Sequence, residues 1–200
     1  MQEVIKEYFS NLYNWNSDLH VDLGSGNIRT GGGTLPNWQV SLIDTGLNTM
    51  TGGRIGRLRD MVSNQTFLVT YGDGVGDINI SEALAFHRKH GRAATVTAVR
   101  PRARFGALEI TEDKVERFAE KNQMDEGWIN GGFFIFEPSV LDLLKSDEDI
   151  LERDPLETLA KNGELMAYRH HGFWQPMDTM RERELLEELW NTGKAPWKTW

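Results

Sequence analysis

Hydrophobic residues follow two alternating patterns in the middle of the chain, unbroken runs and helical spacing. The runs at 66–70 and 94–99 are rich in β-branched and aromatic residues, which predicts strands covered on both faces. Between them, a helical segment begins at Ser81, a good N-cap, and ends at Gly91, a C′ glycine. Strand, helix and strand in this order predict a parallel sheet with right-handed crossovers.

The first fifty residues alternate between apolar and glycine-rich segments. Helical spacing predicts a helix over 3–12, and the polar, glycine-rich stretch 13–37 predicts a long loop or an irregular hairpin. Residues 38–42 alternate apolar and polar, which predicts a strand. A second loop over 44–53 is followed by a helix that opens at Arg54.

The character of the chain shifts after residue 105. Short runs at 107–110, 115–119 and 128–136 are separated by turn-like segments, which predicts hairpins or a mixed sheet. Two helices follow, with a short strand at 165–168 between them. The ends of the first are indicated by Asp154 as N-cap, Pro155 at N1, Glu157 at N3 and Gly163 after its last turn. The ends of the second are indicated by a Thr179–Glu182 capping box and by Gly193. The fold class is therefore α/β, and one domain is expected to span residues 1–200.

Composition narrows the classes of partner. A net charge of −8 argues against nucleic acid or an anionic membrane as the main partner, although a metal or a local basic cluster can still bind a small anion. The chain has no cysteine, so disulfides and thiol chemistry are excluded. Without a long apolar run, or an apolar signal region in residues 1–12, we expect a cytoplasmic protein.

A Gly-Asp-Gly segment follows directly after the strand at 66–70. Glycines on both sides of Asp73 allow a sharp turn and a close approach by a bulky anion. Ligands of open α/β sheets sit beyond the carboxyl ends of strands, so Asp73 lies where a metal-bound phosphate is expected. A plain turn without function is the alternative.

A second carboxylate is needed to hold Mg²⁺, which prefers oxygen ligands from one or two carboxylates, phosphates and water. The best candidate is Asp178, just before the helix that opens at Thr179. The alternative is a structural role, because a carboxylate is favoured near a helix N-terminus in any case.

Other segments suit a phosphate or a sugar. Lys121 is either a surface charge or a point charge for a phosphate. The glycines after Asn130 weaken an apolar strand unless something approaches closely, and Gly106 is similar. Residues 51–54 place backbone N–H groups and a guanidinium at a helix N-terminus, which suits an anion. The histidines, including His170 and His171, lack metal spacing with acidic partners.

Eight motifs occur in one order along the whole chain: Asp44-Thr45-Gly46, Thr51-Gly52-Gly53-Arg54, Tyr71-Gly72-Asp73-Gly74, Arg104-Phe105-Gly106-Ala107-Leu108, Glu120-Lys121, Trp128-Ile129-Asn130-Gly131-Gly132-Phe133-Phe134, Pro155-Leu156-Glu157 and the segment Gly172-Phe173-Trp174-Gln175-Pro176-Met177-Asp178-Thr179. This order resembles the sugar-1-phosphate nucleotidyltransferases, and within them the branch that uses CTP and glucose 1-phosphate. The resemblance implies a Rossmann-like, mixed and mostly parallel sheet flanked by helices. It also implies a homo-oligomer and a place in nucleotide-sugar synthesis for lipopolysaccharide O-antigen.

The resemblance implies that glucose 1-phosphate attacks the α-phosphorus of CTP in line, releasing pyrophosphate and forming CDP-glucose. Catalysis would then consist of positioning and charge neutralisation. By analogy, Asp73 and Asp178 hold Mg²⁺ and act with Lys121 as the catalytic residues. Substrate binding is assigned by analogy to Thr51, Gly52, Arg54, Gly106, Glu120, Asn130, Gly131 and Trp174.

Two features depart from the family pattern. Asn122 stands where the family usually has a proline after Glu-Lys. The family also begins with a strand, a glycine-rich phosphate loop and a helix, a unit of at least ~30 residues that we expect this sequence to lack. The sequence leaves two alternatives open: a non-catalytic sugar-nucleotide-binding or regulatory module of the same fold, and a nucleotidyltransferase that uses UTP or dTTP.

Overall fold

The computed structural model describes residues 2–33, 35–101, 106–111, 114–120 and 127–199, and within 106–111 and 115–120 it describes the backbone alone. The chain divides into two compact units, Met1–Thr45 and Gly46–Trp200. In the described part of the chain, no helix is both long and apolar enough to cross a membrane.

The first unit consists of a helix and a hairpin. Helix α1 (Gln2–Trp15) contains the helix predicted over 3–12, and strands β1 (Asp18–Asp22) and β2 (Asn27–Gly31) form an antiparallel pair within the predicted loop or hairpin. The strand predicted over 38–42 is wrong, because residues 35–45 form no strand. Alternation produces a strand only where the backbone finds a partner, and Trp38 is 71% exposed.

The second unit contains the remaining elements in this order: α2 (Thr51–Gly56), α3 (Arg59–Val62), β3 (Phe67–Thr70), β4 (Gly74–Gly76), α4 (Ile80–His90), β5 (Ala94–Val99), β6 (Gly106–Thr111), β7 (Lys114–Glu120), β8 (Ile129–Phe136), a 3-10 helix (Pro138–Leu143), α5 (Asp154–Lys161), β9 (Leu165–Arg169), β10 (Trp174–Pro176) and α6 (Met180–Asn191). The predicted strands at 66–70, 94–99, 107–110, 115–119, 128–136 and 165–168 correspond to β3, β5, β6, β7, β8 and β9.

A four-stranded sheet with the order β3-β8-β5-β9 forms the centre of this unit. Strand β8 pairs antiparallel with both β3 and β5, whereas β5 and β9 pair in parallel. Strands β3, β5 and β9 therefore run in one direction and β8 runs against them, which confirms a mixed α/β sheet, although two of its three strand pairings are antiparallel. Two antiparallel pairs, β4 with β10 and β6 with β7, stand beside it.

The core lies where the two inner strands meet the segment after β8. Phe134 and Phe136 of β8 are almost fully buried and stack with ring centroids 5.3 Å apart. Phe67 of β3 meets Phe136 edge-on at 5.8 Å. Val140, Leu141, Leu151 and Leu159 complete the same cluster. Burial of these side chains fixes the sheet, because each removes a large apolar area from water.

Helix ends agree with the sequence at three glycines, which adopt left-handed backbone at Gly91, Gly163 and Gly193. The Thr179–Glu182 capping box is confirmed. The predicted N-caps at Ser81 and Asp154 are wrong. Helix α4 is capped by Asn79, whose side chain accepts from Glu82 N, and α5 begins after Arg153 without a side-chain cap.

Candidate active site

A cavity of about 190 Å³ opens at the carboxyl end of β3. Its lining includes the two carboxylates predicted from sequence, Asp73 and Asp178, together with Asn130 at the start of β8. The remaining lining residues are Tyr71, Gly74, Gly131, Gly132, Phe133, Trp174 and Pro176. Five of the predicted site residues, which are Asp73, Asp178, Asn130, Gly131 and Trp174, therefore share one cavity.

The short β4–β10 ladder brings the two carboxylates together. Pro176 pairs with Gly74, and one residue further the backbone N–H of Met177 donates to the carbonyl oxygen of Asp73 at 2.7 Å. Asp178 is the next residue along the chain. The loops that carry Asp73 and Asp178 are thus fastened by main-chain hydrogen bonds, although more than a hundred residues separate them.

Gly131 and Gly132 fit where no larger residue would, and the reason is internal packing. A Cβ on Gly131 would lie 2.8 Å from Val99 Cγ1 and 3.0 Å from Thr97 O of β5. Gly132 has a φ of +77°, and a Cβ there would lie 2.6 Å from Cδ2 of the Tyr71 ring. These glycines let β8 lie close to its neighbours and shape the cavity floor.

Trp174 forms a wall of the cavity and is held by β8. Its Nε1–H donates to the carbonyl oxygen of Gly131 at 2.8 Å. The ring of the preceding residue, Phe173, stacks on Trp197 from the C-terminal segment, with centroids 5.4 Å apart. The indole is therefore fixed from the sheet side, and its strand is supported from the C-terminal side.

The Tyr71 hydroxyl links the cavity to the loop before α5. It donates to Oε1 of Glu152 and accepts from Nδ2 of Asn130 at 3.3 Å. Burial, followed by the hydrogen bond to the Glu152 carboxylate, raises the pKa of Tyr71 far above its usual value of 10.0. The phenol therefore stays protonated at any physiological pH and remains a donor to Glu152.

The three predicted residues of α2 lie outside the lining of this cavity. The hydroxyl of Thr51 donates to Glu152 Oε2 at 2.7 Å and accepts from Leu151 N at 2.9 Å. The backbone N–H groups of Gly52 and Gly53 both donate to the carbonyl oxygen of Asp149. Arg54 Nη2 donates to Leu47 O at 3.3 Å.

The remaining predicted residues lie in or beside the β6–β7 hairpin. Gly106 pairs with Glu120 at the open end of this hairpin. The described part of Glu120 is its backbone, and Lys121, Asn122, Arg104 and Phe105 lie outside the described residues. Glu157, which the sequence explains as a helix-cap residue, lies 3.6 Å from Lys161 in an exposed ion pair of α5.

The carboxylates fit a hard divalent cation. Asp73 and Asp178 offer oxygen atoms to one cavity that also has room for water and phosphate oxygens, which is how Mg²⁺ is usually held. Among the described residues, no group of three or more His, Asp or Glu side chains forms a metal site. A cation at this place would thus rely on substrate and water for its other ligands.

Sequence reasoning missed Tyr71 and Glu152 as parts of the site. Tyr71 stands in the motif around Asp73, so its position next to the site was available as a signal. Glu152 lies in no motif, and it reaches Tyr71 only through tertiary folding across 81 residues. The lining residues Gly74, Gly132, Phe133 and Pro176 were not assigned to substrate either, although each lies within two residues of a predicted one.

Known proteins are similar in sequence to this chain over nearly its full length. It is 49% identical over 198 residues to glucose-1-phosphate cytidylyltransferase of Salmonella typhimurium, covering 98% of this chain and 77% of that protein. It is 40% identical over 200 residues to a probable glucose-1-phosphate cytidylyltransferase of Bacillus subtilis, covering 99% and 78%.

A solved structure shares the fold. The crystal structure of UDP-glucose pyrophosphorylase complexed with UDP-glucose matches with a TM-score of 0.53 and 15% identity, covering 76% of this chain and 65% of that one. The family model described as "Nucleotidyl transferase" matches residues 28–179, which include every lining residue of the cavity. The chain therefore belongs to the nucleotidyl transferase family.

Proposed function

We propose that this chain transfers the cytidylyl group of CTP to glucose 1-phosphate, forming CDP-glucose and pyrophosphate. The observation that carries the proposal is the cavity that joins Asp73 and Asp178 to Asn130 and Trp174. The names of the relatives from Salmonella typhimurium and Bacillus subtilis supply the substrates.

The reaction needs positioning and charge neutralisation more than proton transfer. A phosphate oxygen of glucose 1-phosphate forms a bond to the α-phosphorus of CTP, and the bond from that phosphorus to the pyrophosphate oxygen breaks. The attacking phosphate is already ionised near neutral pH, so no strong general base is required. Alignment of two anionic reactants is then the main task of the protein.

Mg²⁺ is the proposed cofactor, and Asp73 and Asp178 are the residues that would hold it. When bound, the ion would neutralise charge on the phosphates and on the leaving pyrophosphate. The two carboxylates by themselves would repel the triphosphate, which makes a cation between protein and nucleotide a physical requirement of this arrangement.

We assign the sugar side to the residues on and near β8. Asn130 and the backbone of Gly131 would bind sugar hydroxyls, with Trp174 as the wall against which the sugar packs. Lys121 would meet the sugar phosphate, and Gly106 and Glu120 would complete this side. On the nucleotide side, Thr51, Gly52 and Arg54 remain the proposed residues. Their described hydrogen bonds run to Glu152, Asp149 and Leu47, so ligand contact would have to add to these bonds.

Pyrophosphate release with CTP, UTP and dTTP, each paired with glucose 1-phosphate, tests the proposal. Release with CTP that depends on glucose 1-phosphate supports it. Equal or greater release with UTP or dTTP would move the assignment to another base. Calorimetric binding of CDP-glucose without any turnover would instead indicate a non-catalytic sugar-nucleotide module. Neither turnover nor binding by the folded chain would refute the site.

We further propose a homo-oligomer that acts in the cytoplasm, where nucleoside triphosphates are made. Multi-angle light scattering across a range of protein concentrations tests the oligomeric state. A mass equal to one chain at every concentration would exclude the oligomer.

A further inference from the structure

We infer that Tyr71, Glu152 and Thr51 are positioning residues, which hold the amide of Asn130 in one orientation toward the ligand. This inference rests on the proposed function, since it assigns Asn130 to the sugar. The three side chains form a hydrogen-bonded chain that runs from the start of α2 to the start of β8.

The two ends of this chain are backbone N–H groups, which can only donate. At one end, Gly132 N donates to Oδ1 of Asn130 at 2.8 Å. At the other end, Leu151 N donates to Oγ1 of Thr51 at 2.9 Å. Each end therefore requires an acceptor, and this requirement removes the usual freedom of an amide or hydroxyl to reverse its role.

The roles along the chain follow from these ends. Because Oδ1 of Asn130 faces Gly132, its Nδ2 faces Tyr71, and the phenol oxygen must accept there. The phenol then donates its only proton, and the Glu152 side chain accepts at both carboxylate oxygens. The Thr51 hydroxyl donates its proton to the second carboxylate oxygen of Glu152. Each contact along the chain then joins one donor to one acceptor in this single arrangement.

The consequence for the ligand lies at Asn130. One Nδ2 hydrogen is used by Tyr71, which leaves the second for an oxygen acceptor in the cavity. A reversed amide would face Gly132 N–H with its own N–H₂ and would present the carbonyl oxygen to the Tyr71 hydroxyl. The chain therefore selects a donor at Asn130, which suits a sugar hydroxyl acting as acceptor or a phosphate oxygen.

Packing holds the Tyr71 ring in place for this role. The ring lies against the Cα of Gly132, meets Phe134 edge-on at 5.8 Å, and its backbone N–H donates to Gly132 O. Removal of the hydroxyl alone therefore leaves the ring supported. Tyr71→Phe is accordingly a clean test of the hydrogen bonds.

A second tyrosine–glutamate pair provides a matched control. Tyr168 in β9 donates to Glu82 of α4 at 3.3 Å, and neither residue lines the cavity. Tyr168→Phe removes one hydroxyl–carboxylate bond of the same chemistry without touching Asn130.

The experiment combines steady-state kinetics with the side-chain amide signal of Asn130 in ¹⁵N NMR, assigned by its loss in Asn130→Asp. We expect Tyr71→Phe to raise KM for glucose 1-phosphate by about fivefold, the scale of one lost hydrogen bond, with kcat and the KM for CTP unchanged. Tyr168→Phe should match the wild type in all three quantities. The Asn130 signal should shift in Tyr71→Phe and stay in place in Tyr168→Phe.

An unchanged KM for glucose 1-phosphate in Tyr71→Phe would overturn the inference, and so would an equal rise in the KM for CTP. If the wild-type chain turns over no glucose 1-phosphate, the proposed function fails by itself. The NMR signal then decides the positioning role alone: a shift in Tyr71→Phe upholds it, and an unmoved Asn130 signal overturns it.

Discussion

Nε2 of His87 lies 3.0 Å from Oε1 of Glu137, and the imidazole is 1% exposed. The other ring nitrogen, Nδ1, lies 2.8 Å from Oγ1 of Thr95, which also contacts Nε2 of His90 at 2.7 Å. Arg92 N donates to Nδ1 of His90. Because Glu137 only accepts and Arg92 N–H only donates, both imidazoles are satisfied as neutral Nε2–H tautomers.

This hydrogen-bonded network predicts that the folded protein loses stability in acid. Burial lowers the pKa of His90 below its usual 6.5. The hydrogen bond from Thr66, and then that from His87, lower the pKa of Glu137 below its usual 4.5. Both groups bind protons more weakly in the folded state, so their stabilisation is complete above the unfolded pKa and lost as pH falls through the folded one. Stability should therefore begin to fall below pH 6.5 and continue below pH 4.5.

Thermal unfolding followed from pH 8 downward measures this effect, with His90→Gln as the comparison. Glutamine keeps hydrogen-bonding capacity but does not titrate, so the variant should lose less Tm than the wild type between neutral pH and pH 5. His171, which is exposed, serves as the control in His171→Gln. Parallel pH profiles for the wild type and His90→Gln would contradict the prediction.

Gly132→Ala should destabilise the protein through two separate causes. The left-handed φ of +77° costs roughly 1–3 kcal/mol for a residue with a side chain. The new methyl group would also press into the Tyr71 ring. Gly163→Ala provides the control, since Gly163 has a φ of +71° with no atom within 4 Å of the added Cβ. Urea denaturation should show a larger loss for Gly132→Ala, and equal losses would mean that the close contact is without consequence.

The sequence predicted the inner strands, but its predictions were wrong where an element depends on contacts with distant parts of the chain or on the register of a helix. Residues 94–99 and 133–136 carry mostly apolar or small side chains on both faces, so their burial follows largely from composition. The alternation over 38–42 carries no information about whether a second strand is available. The cap of α4 shows the same limit, because Asn79 and Ser81 both suit the position and the register of the helix selects Asn79.

The same distinction holds for the candidate site, where residues in motifs were predicted and a residue that depends on a tertiary contact was not. Asp73 and Asp178 were predictable as a pair because each belongs to a motif at the end of a strand or the start of a helix. Glu152 was not predictable, since it follows a buried leucine in a loop and its role arises from the contact with Tyr71. The glycines after Asn130 were identified as close-approach positions, but the neighbours proved to be Val99, Thr97 and Tyr71.

Trp197→Ala should weaken the support of β10. Its ring stacks on Phe173 with an interplanar angle of 27°, and such aromatic pairs contribute about 0.5–1.5 kcal/mol beyond burial. We expect a lower Tm and a higher KM for substrates that contact Trp174, which follows Phe173 in the chain. Trp38→Ala is the control, because Trp38 is 71% exposed and its loss should change neither quantity. A wild-type Tm for Trp197→Ala would show that the stacking contributes nothing to stability.

Removal of the divalent cation should abolish turnover reversibly. Chelation with EDTA followed by addition of Mg²⁺ measures this directly in the pyrophosphate-release assay. If Asp73 and Asp178 hold the ion, substitution of either carboxylate should also raise the Mg²⁺ concentration needed for half-maximal activity. Full activity in the presence of EDTA would contradict the proposed cofactor.

Asp73→Asn and Asp178→Asn should each reduce turnover by roughly a hundredfold or more, the scale found when one electrostatic contact at a reacting centre is removed. Asparagine keeps the shape of the side chain and removes the charge, so the main-chain bond between Met177 and Asp73 should survive. Unchanged Tm values would separate lost chemistry from lost folding. Asp142→Asn is the matched control, because this carboxylate is 81% exposed and pairs at 3.6 Å with Arg59. Wild-type turnover in either site variant would remove that carboxylate from the metal site, since the other residues of the cavity offer no replacement charge.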